Sequence, residues 1–155
     1  MLHRQHNITK FKGTLAELKV ASDLQRRGFI IGDPAGDMLP FDMLAIDPSS
    51  DYAMYKVQVK YVDLVDGKIK VDIKKTYLSA GMIFKTKHYS PEEVDVFAVY
   101  VPSLERCLYF SSDVLESNKT MLTINTRQGR NNQHECHLIK DYGEFPCQES
   151  RQTKV

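Results

Sequence analysis

Glu17, Asp42, Gln58 and Lys60 are the side chains of this 155-residue sequence whose types and order best suit chemistry. One or two carboxylates, an amide oxygen, a backbone carbonyl and waters form the octahedral oxygen set that Mg2+ prefers. Each residue also has an ordinary reading. Thr14-x-x-Glu17 fits a capping box, in which the glutamate satisfies the backbone N–H of Thr14. An aspartate such as Asp42 is commonly a turn or edge residue, and it needs a reason to stand inside a strand. Gln58 and Lys60 fit the solvated face of an edge strand. Only joint placement separates the chemical reading from the ordinary one.

Placement follows from patterning. From Thr14 to Arg27, Leu15, Leu18, Ala21 and Leu24 recur at helical spacing, and Gly28 stands where a helix stops. Projected on a helix, Ala16, Leu18, Val20, Ala21 and Leu24 share one arc with Glu17 in its middle, while Lys19, Ser22, Asp23 and Arg26 lie opposite. A carboxylate buried there needs a cation, a metal or hydrogen bonds to offset its lost hydration. Pro40 to Asp47 and Ala53 to Val62 are predicted as antiparallel strands joined by the hairpin turn Pro48-Ser49-Ser50-Asp51. In the second strand Val57, Val59 and Tyr61 point one way and Lys56, Gln58 and Lys60 the other. Valines in the core would hold Gln58 and Lys60 side by side on rigid backbone, and the short hairpin can return Asp42 beside Gln58.

The remaining elements are simpler. Phe29 to Ile31 reads as a short strand, followed by a loop over 32–37. After the Asp66-Gly67 turn, Ile69, Val71 and Ile73 alternate with Lys68, Lys70, Asp72 and Lys74, giving one apolar and one mostly basic strand face. Val94 to Val101 reads as a buried strand with Cys107 to Phe110 as its neighbour, and residues 111–126 as a short helix and a further strand. Arg127 to Gln133 form a polar, basic loop. The expected organisation is a basic N-terminal arm (1–12), one domain (13–148) and a disordered tail (149–155).

Taken together, Gly13-Thr14-Leu15-Ala16-Glu17-Leu18, Pro40-Phe41-Asp42 and Gln58-Val59-Lys60 resemble the motifs of the PD-(D/E)XK nuclease superfamily. The likeness is greatest to its small group I intron-encoded homing endonucleases, in which glutamine replaces the usual acid of the third motif. It spans roughly residues 10–110, where Val94 to Tyr100 looks like the later core strand. It implies an α/β (α+β) restriction-endonuclease-like core, with a central mixed β-sheet flanked by helices. It further implies that Glu17, Asp42, Gln58 and the Val59 carbonyl hold Mg2+, for which Mn2+ can substitute. Lys60 would orient or activate the attacking water and neutralise charge on the phosphate. The implied reaction is sequence-specific cleavage of double-stranded DNA, leaving 3′-hydroxyl and 5′-phosphate ends. Gln58 takes one negative charge from the usual site, and Phe41 stands where another residue usually precedes the aspartate. A junction-resolving nuclease and a non-catalytic DNA-binding module are the alternatives.

Charge balance adds little, because 21 lysines and arginines offset 20 aspartates and glutamates. DNA contact is therefore sought locally, at Lys68, Lys70, Lys74, Lys75, Lys85 and Lys87 for phosphates, and at Arg127, Gln128, Arg130, Asn131 and Asn132 for phosphates or base edges. One site cuts one strand, so duplex cleavage implies a homo-oligomer, a dimer or tetramer. The three cysteines form no disulfide framework, and His134, Cys136, His137 and Cys147 fit no common zinc spacing. No apolar run suits a membrane span or secretion signal, so a cytoplasmic location is expected.

Overall fold

The computed structural model describes residues 2–36, 38–78, 80–82, 84–114, 120–129 and 137–147. Helix α1 (Leu2–Arg26) carries Ala16, Val20 and Leu24 into the core at four-residue spacing. It ends where the sequence places a stop. Gly28 adopts φ 95°, its N–H donates to the Gln25 carbonyl, and the Phe29 N–H donates to the Leu24 carbonyl. This is a Schellman closure, completed by the burial of both Leu24 and Phe29.

Two expectations about this helix are corrected. Leu2 to Lys12 continue it, so the arm expected before Gly13 is helical, and a glycine inside a helix costs only about 1 kcal/mol. Thr14 therefore lies mid-helix and caps nothing. Glu17 is exposed, because Leu18 also faces solvent and the buried stripe consequently centres on Val20.

Beyond the helix, nine strands are present among the described residues: β1 (Ile30–Gly32), β2 (Met43–Asp47), β3 (Ala53–Tyr61), β4 (Lys68–Asp72), β5 (Lys74–Leu78), β6 (Phe84–His88), β7 (Val96–Val101), β8 (Arg106–Ser111) and β9 (Met121–Asn125). Five form a mixed sheet in the order β1-β2-β3-β7-β8. Only β3 and β7 run parallel, with Val57 opposite Val96 and Lys60 opposite Val99. Every residue of β7 is buried, as its uninterrupted apolar run requires.

The sheet separates two cores. On one side Ala16, Val20 and Leu24 join Tyr55, Val57, Val59, Ala98 and Tyr109. On the other, Phe97, Val99, Leu108 and Phe110 meet Ile69 and Val71 of β4 and Leu122 and Ile124 of β9. Where flanking helices were expected, α1 is the only α-helix among the described residues, and the second face is covered by the β4–β9 pair. The strict alternation of β4 explains this, since a strand buries one face at every second residue. Between β4 and β7 the chain forms an antiparallel ribbon of β5 and β6, with Lys75 opposite Lys87 and Tyr77 opposite Lys85. Lys74 belongs to this ribbon rather than to the preceding strand.

Candidate active site

Strand β3 outruns β2 at one end, which leaves the Val59 N–H without a strand partner on that side. Asp42 fills the gap. It stands one residue before β2, outside the strand expected to contain it, and its own N–H donates to the Val57 carbonyl at 2.9 Å. With the backbone so fixed, Asp42 Oδ2 accepts from Val59 N–H and from Gln58 Nε2, each at 2.7 Å. Gln58 Nε2 also lies 3.5 Å from the Val59 carbonyl oxygen. A carboxylate, a side-chain amide and a backbone carbonyl thus gather around one point. The opposite edge of β3 is pinned likewise, since Asp95 Oδ2 accepts from Lys56 N–H at 2.8 Å.

Lys60 follows two residues after Gln58 on the same strand face, away from the buried Val57 and Val59. Burial lowers the pKa of its ammonium, and the charges of Asp72 and Asp42 work against that shift. Its Nζ lies 5.6 Å from the ring centre of Tyr89, and Lys75 Nζ lies at the same distance from that ring. Tyr89 in turn stands edge-on to Phe97 of β7, with ring centres 5.3 Å apart. Burial, followed by the charges of Asp42, Asp72 and Glu93, pushes its phenol up to about 12. Sequence patterning missed both Tyr89 and Asp72 as neighbours of Lys60. They lie far along the chain, and only the packing of the crossover from β3 to β7 brings them near.

Glu17 does not share the burial of this group. It sits on α1 between Lys12, which reaches the Tyr61 ring at 5.0 Å, and Lys19, which reaches the Tyr100 ring at 5.9 Å. The helix at Glu17 therefore passes the end of β3 that bears Lys60. Among the described residues no cluster of three or more His, Cys, Asp or Glu side chains is placed to hold a metal, so any cation here must use the amide and carbonyl oxygens as well.

The basic candidates divide. Lys68, Lys70, Lys85 and Lys87 are exposed, as are Arg127 and Gln128. Lys74 is half-buried, and Lys75 is committed to Glu93 at 2.8 Å. Arg130, Asn131 and Asn132 lie outside the described residues, as do His134, Cys136 and the tail 149–155. His137 bonds through Nδ1 to the Tyr142 hydroxyl. Cys107 and Cys147 are free thiols. Burial, with Asp23 nearby, pushes the Cys107 thiol up to about 11, which disfavours its reactive thiolate form.

A mixed five-stranded sheet, with a hairpin that delivers Asp42 onto a Gln-Val-Lys strand, defines a restriction-endonuclease-like protein. The chain belongs to the PD-(D/E)XK endonuclease family, whose model matches residues 7–145. Among solved structures it is similar in fold to a bacterial homing endonuclease, I-Ssp6803I, with a TM-score of 0.67 and 24% identity over 86% of this chain and 87% of that one. No curated protein matches the sequence. Among the described residues, no helix is long and apolar enough to cross a membrane.

Proposed function

We propose that the chain is a Mg2+-dependent, sequence-specific DNA endonuclease of the homing type that leaves 3′-hydroxyl and 5′-phosphate ends. The observation that carries this reading is the convergence of Asp42 Oδ2, the Gln58 amide and the Val59 carbonyl at the end of β3. Their donor set is all oxygen once the amide turns its Oε1 inward, which suits a hard divalent cation. Asp42, Gln58 and Val59 would hold the ion, with Glu17 completing the set from α1. When bound, Mg2+ lowers the pKa of water and offsets charge on the scissile phosphate. Backbone hydrogen bonds on both its N–H and its Oδ2 help to hold Asp42 in position, which preorganises the acceptor geometry. Lys60 holds the attacking water in line and meets the negative charge that develops on the phosphate oxygens.

DNA contact is assigned to the β5–β6 ribbon and to the outer face of β4. A two-stranded ribbon fits the width of a major groove. Lys85 and Lys87 face solvent on the ribbon, and Lys68 and Lys70 do so on β4. Arg127 and Gln128 extend that basic surface beyond β9. Lys74, Lys75, Arg130, Asn131 and Asn132 remain contact candidates from the sequence. Duplex cleavage needs two sites, so a homo-oligomer is part of the proposal. Ile8, Phe11 and Leu18, exposed at 54%, 68% and 65%, line up with half-buried Leu15 at alternating three- and four-residue spacing, the kind of seam that a second copy's helix covers.

The test is incubation of the protein with Mg2+ and a DNA library containing linear and branched duplexes. Cutting is expected at one long linear site, and it should fall at least about 100-fold in Lys60→Ala and in Glu17→Ala. Preference for branched DNA regardless of sequence would assign a junction resolvase instead. Binding without cutting would leave a DNA-binding module. Full activity in both variants would refute the site assignment.

A further inference from the structure

Among the described residues Tyr89 is the one aromatic ring over which two lysine ammoniums lie, and neither the motif nor the proposed metal set uses it. It follows directly after β6, so it stands at the base of the ribbon assigned to DNA. Lys75 reaches it from β5 and Lys60 from β3. The ring cannot drift, because it packs edge-on against Phe97, which itself stacks on Phe110 at 5.4 Å. Around it, Glu93 accepts from Lys75 Nζ at 2.8 Å and from Ser90 N–H at 3.0 Å, which ties the turn after Tyr89 to the ribbon.

We infer that Tyr89 is a positioning residue for Lys60, its ring face holding the ammonium at the reaction centre and linking that position to the ribbon through Lys75. The warrant is geometric. A cation within about 6 Å of a ring centre is attracted by the negative face of the ring, and more strongly where water is excluded. Lys60 is a long, flexible side chain on a half-buried strand, and without such a face its ammonium would sample several rotamers. The phenol stays neutral at ordinary pH, so its contribution comes from the ring and not from a phenolate. Tyr89→Phe should therefore preserve the effect, and Tyr89→Leu should remove it.

This inference rests on the nuclease reading for its kinetic consequence, but a spectroscopic readout stands apart from activity. In wild type the ring current of Tyr89 should move the ε-methylene protons of Lys60 upfield of those of Lys56. That displacement should persist in Tyr89→Phe and vanish in Tyr89→Leu. On a duplex that the wild type cuts, Tyr89→Leu should lower kcat about tenfold while KM and duplex Kd stay within about twofold, with Tyr89→Phe restoring kcat. Thermal melts confirm that each variant is folded, and Tyr89→Phe keeps the packing on Phe97. An undisplaced Lys60 resonance in wild type, or wild-type kcat in Tyr89→Leu, would overturn the inference. If the wild type cuts no DNA, the nuclease reading falls, and the Lys60 displacement alone then decides whether Tyr89 positions the lysine.

Discussion

Two partly buried aspartates serve the same sheet in different ways. Asp23, on α1, is met by charged and phenolic donors: Arg27 Nε at 2.9 Å, Arg26 at 3.0 Å and the Tyr109 hydroxyl at 2.6 Å. Burial alone would raise its pKa, but these hydrogen bonds overcome it and hold the carboxyl below its ordinary value. Asp42 Oδ2 instead receives a backbone N–H and a neutral amide. Its charge still acts on Lys60 and Tyr89. Guanidinium groups fix Asp23 as a brace of the fold, whereas a backbone N–H and an amide orient Asp42 Oδ2 at the end of β3, where its charge is felt by Lys60.

Exchanging the two roles by mutation tests this contrast most severely. Asp42→Asn should cut DNA at least about 100-fold more slowly, with little change in melting temperature. Asp23→Asn should leave cleavage intact and lose about 1–3 kcal/mol of stability, measured by urea unfolding, because Arg27 and Tyr109 lose a charged acceptor. The pH dependence has a definite sign. With its folded pKa below the unfolded value near 3.8, Asp23 contributes stability that is complete above that value and lost as pH falls through the folded pKa. Asp23→Asn should therefore flatten the acid limb of the stability profile. An Asp23→Asn protein that is stable but inactive would break the comparison.

The contrast was only partly legible in the sequence. The hairpin of β2 and β3 was, because Val57, Val59 and Tyr61 alternate with Gln58 and Lys60, and that register brings Asp42 to Gln58. The buried strand β7 announced itself as an unbroken apolar run. Helical projection failed where it treated every apolar residue as core. Leu18 pulled the predicted arc toward Glu17 and sent Asp23 to the solvent side, whereas Asp23 reaches across to Tyr109 of β8. Gly13 suggested a helix start, although the residues before it have no breaker to stop the helix. The β5–β6 ribbon and Tyr89 left no periodic trace, because every described side chain of β6 is exposed and the pairing is fixed by its partner strand.

A smaller effect sharpens the comparison at the metal group. If Asp42 retains charge for a cation, then restoring a second acid at the amide position should strengthen that cation's hold. Gln58→Glu should lower the Mg2+ concentration for half-maximal cleavage by roughly tenfold, because ligand charge count sets the affinity of oxygen sites for hard cations. Titration of cleavage rate against Mg2+ reads this directly. An unchanged midpoint would mean that Gln58 serves only to orient Asp42.

The same distinction between committed and available charge predicts the mildest phenotype, on the ribbon. Lys75 and Lys85 lie on neighbouring strands of one hairpin, yet Lys75 is held by Glu93 at 2.8 Å while Lys85 is exposed. A lysine that neutralises a phosphate releases a condensed counterion and adds about 0.9 to the slope of log affinity against log salt. Lys85→Ala should reduce the slope by about that amount, with a modest loss of affinity at low salt. Lys75→Ala should leave the slope unchanged, since its ammonium is already neutralised by a carboxylate inside the protein. Equal slopes for the two variants would show that duplex DNA draws Lys75 away from Glu93, and the ribbon's base would then belong to the DNA-contacting surface.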